Sequence, residues 1–168
     1  MADPPWLNED EARAWRAFLL ASQLLMDQLD RELQAEAGIP HAYYAILVVL
    51  SEQPERSLRM TEIADRLRFS KSRLSHAVGR LEARGWVERV EHPSDRRGTL
   101  AVLTEAGQTA LAEAAPGHVA SVRRHLFDRL TPEQVAQLQA IGAAIAGPLM
   151  SPGREAFPPS ACSHGRDS

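Results

Sequence analysis

The sequence predicts a mainly α-helical fold with one small β-hairpin. Three observations carry that expectation. Apolar residues recur at helical spacing along most of the chain, two short apolar runs near the middle read as the strands of a hairpin, and the helical segments at both ends are too long or too apolar to be covered by one small domain. The stretch 70–104, SKSRLSHAVGRLEARGWVERVEHPSDRRGTLAVLT, contains a helix, the hairpin and a basic turn in succession.

Taken in order, Asn8 and Glu11 have the spacing of a capping box. Trp15, Phe18, Leu19, Ser22, Leu25, Met26, Leu29 and Leu33 then keep a helical period as far as Gly38. A helix of about 28 residues results, against a mean of about 11 to 12 in globular proteins, and such length calls for a partner beyond its own domain. Pro40 is placed as the first residue of a second helix, His41 to Ser51, whose AILVVL run marks buried core. Leu58 starts a short strand, Met60 to Leu67 form a helix, and Arg68-Phe69 make a tight turn into the next helix. There Ser70 is a good N-cap, Leu74, Ala77, Val78 and Leu81 form one apolar face, and Gly85 ends the helix.

The opposite face of that helix carries Ser70, Lys71, Ser72, Arg73, Ser75, His76 and Arg80. Long cations mixed with short hydroxyls and an imidazole suit phosphates and base edges. Trp86–Glu91 and Thr99–Leu103 read as strands joined by HPSDRRG, where Pro, Ser, Asp and Gly favour a turn and Arg96 and Arg97 charge its tip. Helix, turn, helix and basic hairpin make a winged helix-turn-helix. Thr104 caps a further helix expected to run to about Leu130 with a kink at Pro116-Gly117. Thr131 and Pro132 open another that Gly147-Pro148 stops. From Ser151 onward the Pro, Gly and Ser content predicts a disordered tail.

These motifs carry a family resemblance. LRMTEIADRL before the basic-faced helix, RLEARGWVER after it, and DRR followed by LT and EAG around the wing resemble the MarR-type bacterial transcription regulators; Asp95, Arg97, Leu103 and Thr104 stand in register with that family's wing motif. His76, His92 and Ala101 depart from its usual residues. The resemblance implies that residues 8–38 and 104–147 form a helical dimerisation region, 39–103 the DNA-binding winged helix, and 148–168 a tail. It also implies a homodimer on a pseudo-palindromic double-stranded DNA operator, a repressor released by a small, possibly phenolic effector. Trp15, His41, Tyr43 and Tyr44 are candidate ligand residues, because aromatic rings with polar tips suit such a molecule. Ordinary core and interface packing is the competing reading for each.

Composition fits. The net charge of −3 is unevenly placed: residues 56–97 hold 11 Lys+Arg against 6 Asp+Glu, leaving the remainder at −8. The cations therefore concentrate where the DNA-reading motif lies. Asp95 can pair with one arginine of the wing and order the loop while the other enters the minor groove, and which does which is open. The single cysteine, Cys162, excludes an intrachain disulfide. An acidic, proline-broken opening stretch and the lack of an apolar run of roughly 18 residues lead to the expectation of a cytoplasmic protein without membrane contact. No nucleophile elbow, phosphate loop or histidine spacing of metal sites is present, so no enzyme, cofactor or metal is expected. A winged-helix module that binds another protein instead of an operator is the alternative function.

Overall fold

The computed structural model describes residues 5–92 and 95–150, with side chains at 92–97 outside that description. The predicted tail from Ser151, with Cys162 and His164, lies outside the described residues. Helix α1 spans Glu9–Ala37, α2 His41–Ser51, α3 Met60–Leu67, α4 Lys71–Ala83, α5 Glu105–His125 and α6 Pro132–Ala146; strands β1 Ser57–Arg59, β2 Val87–His92 and β3 Asp95–Leu103 complete the element order. The strands form one antiparallel sheet with β3 in the middle, pairing Leu58 with Ala101 on one side and Val87 with Leu103 on the other.

The helix ends follow local chemistry. Asn8 Oδ1 accepts from Glu11 N at 2.9 Å while Glu11 Oε2 accepts from Asn8 N at 2.8 Å, and Gly38 closes α1 in the left-handed region at φ 66°. Thr131 and Gln134 repeat the reciprocal cap at α6. Pro40 is the N-cap of α2 rather than its first helical residue, a shift of one position.

Two further boundaries differ from the sequence expectation. Strand β3 begins at Asp95, paired with His92, so Asp95, Arg96 and Arg97 lie on the strand instead of forming the turn tip. Its ladder with β2, fixed from Val87 opposite Leu103, continues past the turn-favouring residues at the cost of one irregularity between Glu91 and His92. Helix α5 stops at His125, not near Leu130, because Leu126 leaves helical geometry (φ −123°) and a 3-10 turn over Phe127–Arg129 follows. Helix α6 ends at Ala146, where Gly147-Pro148 are expected to stop it, and a 3-10 turn, Gly147–Leu149, follows.

The core belongs to the middle of the chain. Ile46, Leu47 and Leu50 of α2, Ile63 of α3, Leu74, Val78 and Leu81 of α4, and Val87, Ala101 and Leu103 of the sheet are buried together. This packing orients α4 with its polar face outward. The flanking helices are different. In α1 only Leu29 and Leu33 are buried, in α6 nothing is, and Trp15, Phe18, Leu20, Leu24, Leu138, Ile141 and Ile145 stay exposed.

Where α1 crosses α5, a polar knot holds them. Glu32 accepts from Ser121 Oγ, from Gln28 Nε2 at 2.6 Å and from Arg124 Nη2 at 2.9 Å, and lies 2.8 Å from His125 Nε2. These donors, the Ser121 hydroxyl foremost, lower its pKa to about 2. Further along α5, His118 packs on His41 and Tyr44 with centroids 5.4 and 4.6 Å away. Its Nδ1 is buried without a partner among the described residues, and burial, then the neighbouring His41, lower its pKa to about 4.

Both groups bind protons more readily in the unfolded chain, so stability must fall with pH in two windows. From 6.5 toward 4 the unfolded His118 takes up a proton that the folded one refuses. From 4.5 toward 2 the unfolded Glu32 protonates first. Urea unfolding midpoints followed from pH 7 to 2 are expected to show both declines, with His118→Leu flattening the first and Glu32→Gln the second. Unchanged acid limbs in both variants would refute this account of the junction.

Candidate nucleic-acid interface

Helix α4 is capped at its start and tied to the sheet from one side. Ser70 Oγ accepts from Arg73 N at 3.1 Å, so this hydroxyl serves as the N-cap as well as facing out. Phe69 precedes it after Arg68, which turns the chain at φ 55°. The Phe69 ring carries the Arg73 guanidinium 4.2 Å above its centroid, a cation–π contact that fixes where the cation projects. Lys71, Ser72, Ser75, His76 and Arg80 are exposed on the same helix, opposite the buried Leu74, Ala77, Val78 and Leu81. The sequence-predicted reading face is thus one surface, made by amphipathic packing.

Arg89, which the sequence reading passed over, ties this helix to the wing. From β2 its Nη2 donates to the Ser75 carbonyl at 2.7 Å, and its Nε lies 3.3 Å from Glu82 Oε2. These contacts anchor β2 of the wing to α4. Their backbone places Asp95, Arg96 and Arg97 at the far end of the hairpin from the Val87–Leu103 pair.

The four candidate ligand residues are not brought together within one chain. Trp15 is exposed on α1 and faces Phe18 with centroids 6.4 Å apart. His41 and Tyr44 pack against His118. His41 also donates its backbone N–H to Asp30 Oδ1 at 2.7 Å, and burial lowers the pKa of its ring. Tyr43 turns the other way, lining a cavity of about 360 Å³ with Pro40, His76, Arg80, Ala83 and Arg84. Among the described residues no group of three or more His, Cys, Asp or Glu could hold a metal, and no helix is long and apolar enough to cross a membrane.

A three-stranded wing packed on a helix-turn-helix whose second helix exposes a cationic and hydroxyl-rich face defines the winged-helix class of nucleic-acid-binding folds. The chain belongs to the MarR family. That family's profile matches residues 37–98. Over 93% of this chain and 98% of the other, it is 49% identical, with a TM-score of 0.85, to Sco3205, a MarR family transcriptional regulator from Streptomyces coelicolor solved in complex with DNA. CouR from Rhodococcus jostii RHA1 is 27% identical with a TM-score of 0.67, covering 80% of this chain and 94% of CouR. The transcriptional repressor MprA of Escherichia coli strain K12 is 33% identical over 92 residues, and the matched stretch spans about half of its length, 52%.

Proposed function

We propose that this chain is a cytoplasmic, homodimeric transcription repressor that binds a pseudo-palindromic operator and leaves it when a small effector binds. The observation that carries this reading is the exposed face of α4, where Arg73, His76 and Arg80 project from a helix whose opposite side is locked into the core. Its likeness to Sco3205, solved in complex with DNA, supports duplex DNA as the partner. The dimer, with 8–38 and 104–147 as its dimerisation region, is supported by the uncovered apolar faces of α1 and α6. Two α4 helices related by a twofold axis read two half-sites, hence the symmetric operator. An effector with an aromatic acyl or phenolic group is in keeping with CouR, solved bound to p-coumaroyl-CoA.

The roles of helix and wing are separable. A base-reading contact contributes about 1 to 3 kcal/mol of discrimination, whereas phosphate and minor-groove cations lend affinity that salt weakens. His76→Ala is therefore expected to relax sequence preference more than it weakens binding to random DNA. Arg96→Ala or Arg97→Ala should weaken binding to many sequences, the one in direct contact flattening the salt slope by about one unit. If the other pairs with Asp95, its replacement acts through the order of the wing instead. Competition against a randomised operator library at two salt concentrations reads both effects. Wild-type behaviour of both wing variants would remove the wing from the mechanism.

A further inference from the structure

We infer that Arg73 reads one guanine in the major groove of each operator half-site, and that Phe69 is the positioning residue whose ring aims it. This deepens the operator reading above and rests on it for the DNA.

Phe69 stands just before the N-cap Ser70, and Arg73 is the third residue of α4. A residue before an N-cap needs only to be apolar to pack beneath the first helical turn, and leucine would serve. A ring adds what an aliphatic side chain lacks, a flat face that attracts a cation. The Arg73 guanidinium lies over that face, 4.2 Å from its centroid, although Arg73 itself is exposed. The ring is held in turn from below: Phe69 packs against the buried core, and its N–H donates to the Ala64 carbonyl at 2.9 Å. That bond closes over Arg68, which takes the left-handed conformation at φ 55°, costly for any residue with a Cβ. The turn into α4 is thus strained backbone that delivers an aromatic ring under a cation.

Stacking decides what the cation binds. With one face of the guanidinium on the ring, its N–H donors point outward in the guanidinium plane as a rigid fork. Among the described residues no carboxylate occupies that fork. Base edges in the major groove differ in what they offer it. Guanine alone presents two neighbouring acceptors, N7 and O6, whereas adenine sets a donor beside its N7, thymine has one acceptor, and cytosine has a donor. The N-terminal residues of a recognition helix are also the ones that meet base edges. Lys71, exposed on the same turn, is a flexible point charge suited to phosphate. Two copies of α4 related by a twofold axis place the guanine once in each half-site, at symmetry-related positions.

The test uses the full chain and in vitro selection from a randomised duplex library. The enriched duplex is then compared with one whose guanines are replaced by 7-deazaguanine, which pairs normally but lacks the N7 acceptor. Wild-type protein should enrich a symmetric pair of guanines and lose about tenfold in affinity on replacement at that pair. Arg73→Lys keeps the charge and loses the fork, while Phe69→Leu keeps the apolar packing and loses the ring. Each should bind the two duplexes within about twofold of one another. Phe69→Tyr should restore the wild-type difference. A purely structural role of Phe69 would lower stability and affinity together without moving the preference. Arg73→Lys alters only an exposed side chain, so it decides the proposal even where Phe69→Leu lowers stability. Guanines that persist in the Arg73→Lys selection, or a full 7-deaza loss retained by Phe69→Leu, overturn the proposal. So does an Arg73→Lys loss equal on all sequences, which marks a phosphate contact. Enrichment of no sequence by wild-type protein would sink the operator reading and this proposal with it, whereas enrichment of a site without the guanine pair sinks the proposal alone.

Discussion

Replacing Gly107 with alanine is expected to destabilise the protein by about 3 kcal/mol or more, at the upper end of what overpacking costs. A Cβ at this position would lie 2.1 Å from the Trp86 carbonyl oxygen and 2.7 Å from Leu103 Cδ1. Neither neighbour can step aside cheaply. Thr104 N donates to that same Trp86 oxygen at 3.1 Å, Thr104 Oγ1 donates to the Gly85 carbonyl at 2.7 Å, and Gly107 N donates to Thr104 Oγ1 at 3.0 Å. The start of α5 is therefore stitched to the turn that follows α4 and to the first pair of the wing, Val87 and Leu103. Chemical denaturation followed by circular dichroism measures the loss. A change below about 0.5 kcal/mol would mean that α5 does not meet Trp86 as described.

The second large effect concerns the uncovered helix faces. Leu138, Ile141 and Ile145 share one side of α6, which buries no residue in the single chain, and Ile141 is 54% exposed. If that side meets a second copy, Ile141→Glu buries an unpaired carboxylate twice in each symmetric dimer, weakening association by on the order of 100-fold or more. Wild-type protein at micromolar concentration should sediment at twice 18.5 kDa and the variant at 18.5 kDa, with operator affinity falling in parallel. A wild-type mass of 18.5 kDa would remove the dimer and with it the explanation of these faces.

What could be read from the sequence divides along local and non-local lines. The capping box of Asn8 and Glu11, the cap at Ser70 and the end of α1 at Gly38 are written in residues three or four apart, and all stand where their chemistry puts them. The exposed polar face of α4 follows the same rule, since helical period alone separates it from Leu74, Val78 and Leu81. The start of β3 does not. Turn-favouring residues predict a loop through Gly98, whereas pairing set from the opposite end of the hairpin carries the strand back to Asp95. Tyr43 and Tyr44 look equivalent as neighbours, yet a helix turns adjacent side chains apart, one toward the cavity and the other toward His118. Arg84 and Arg89 were illegible for a related reason. Their partners, Gly38, Trp86, Ser75 and Glu82, lie mostly on other elements, and nothing in the spacing announces them.

The central claim, that this winged helix reads a particular operator, is tested most directly by a gel shift of the full chain on DNA from upstream of its own gene, titrated with excess non-specific duplex at physiological salt. Specific recognition predicts a discrete complex that survives competitor, with affinity about 1,000-fold or more above that for random duplex. A band that fades in step with added competitor, or no complex at all, would contradict it and favour a module that binds another protein.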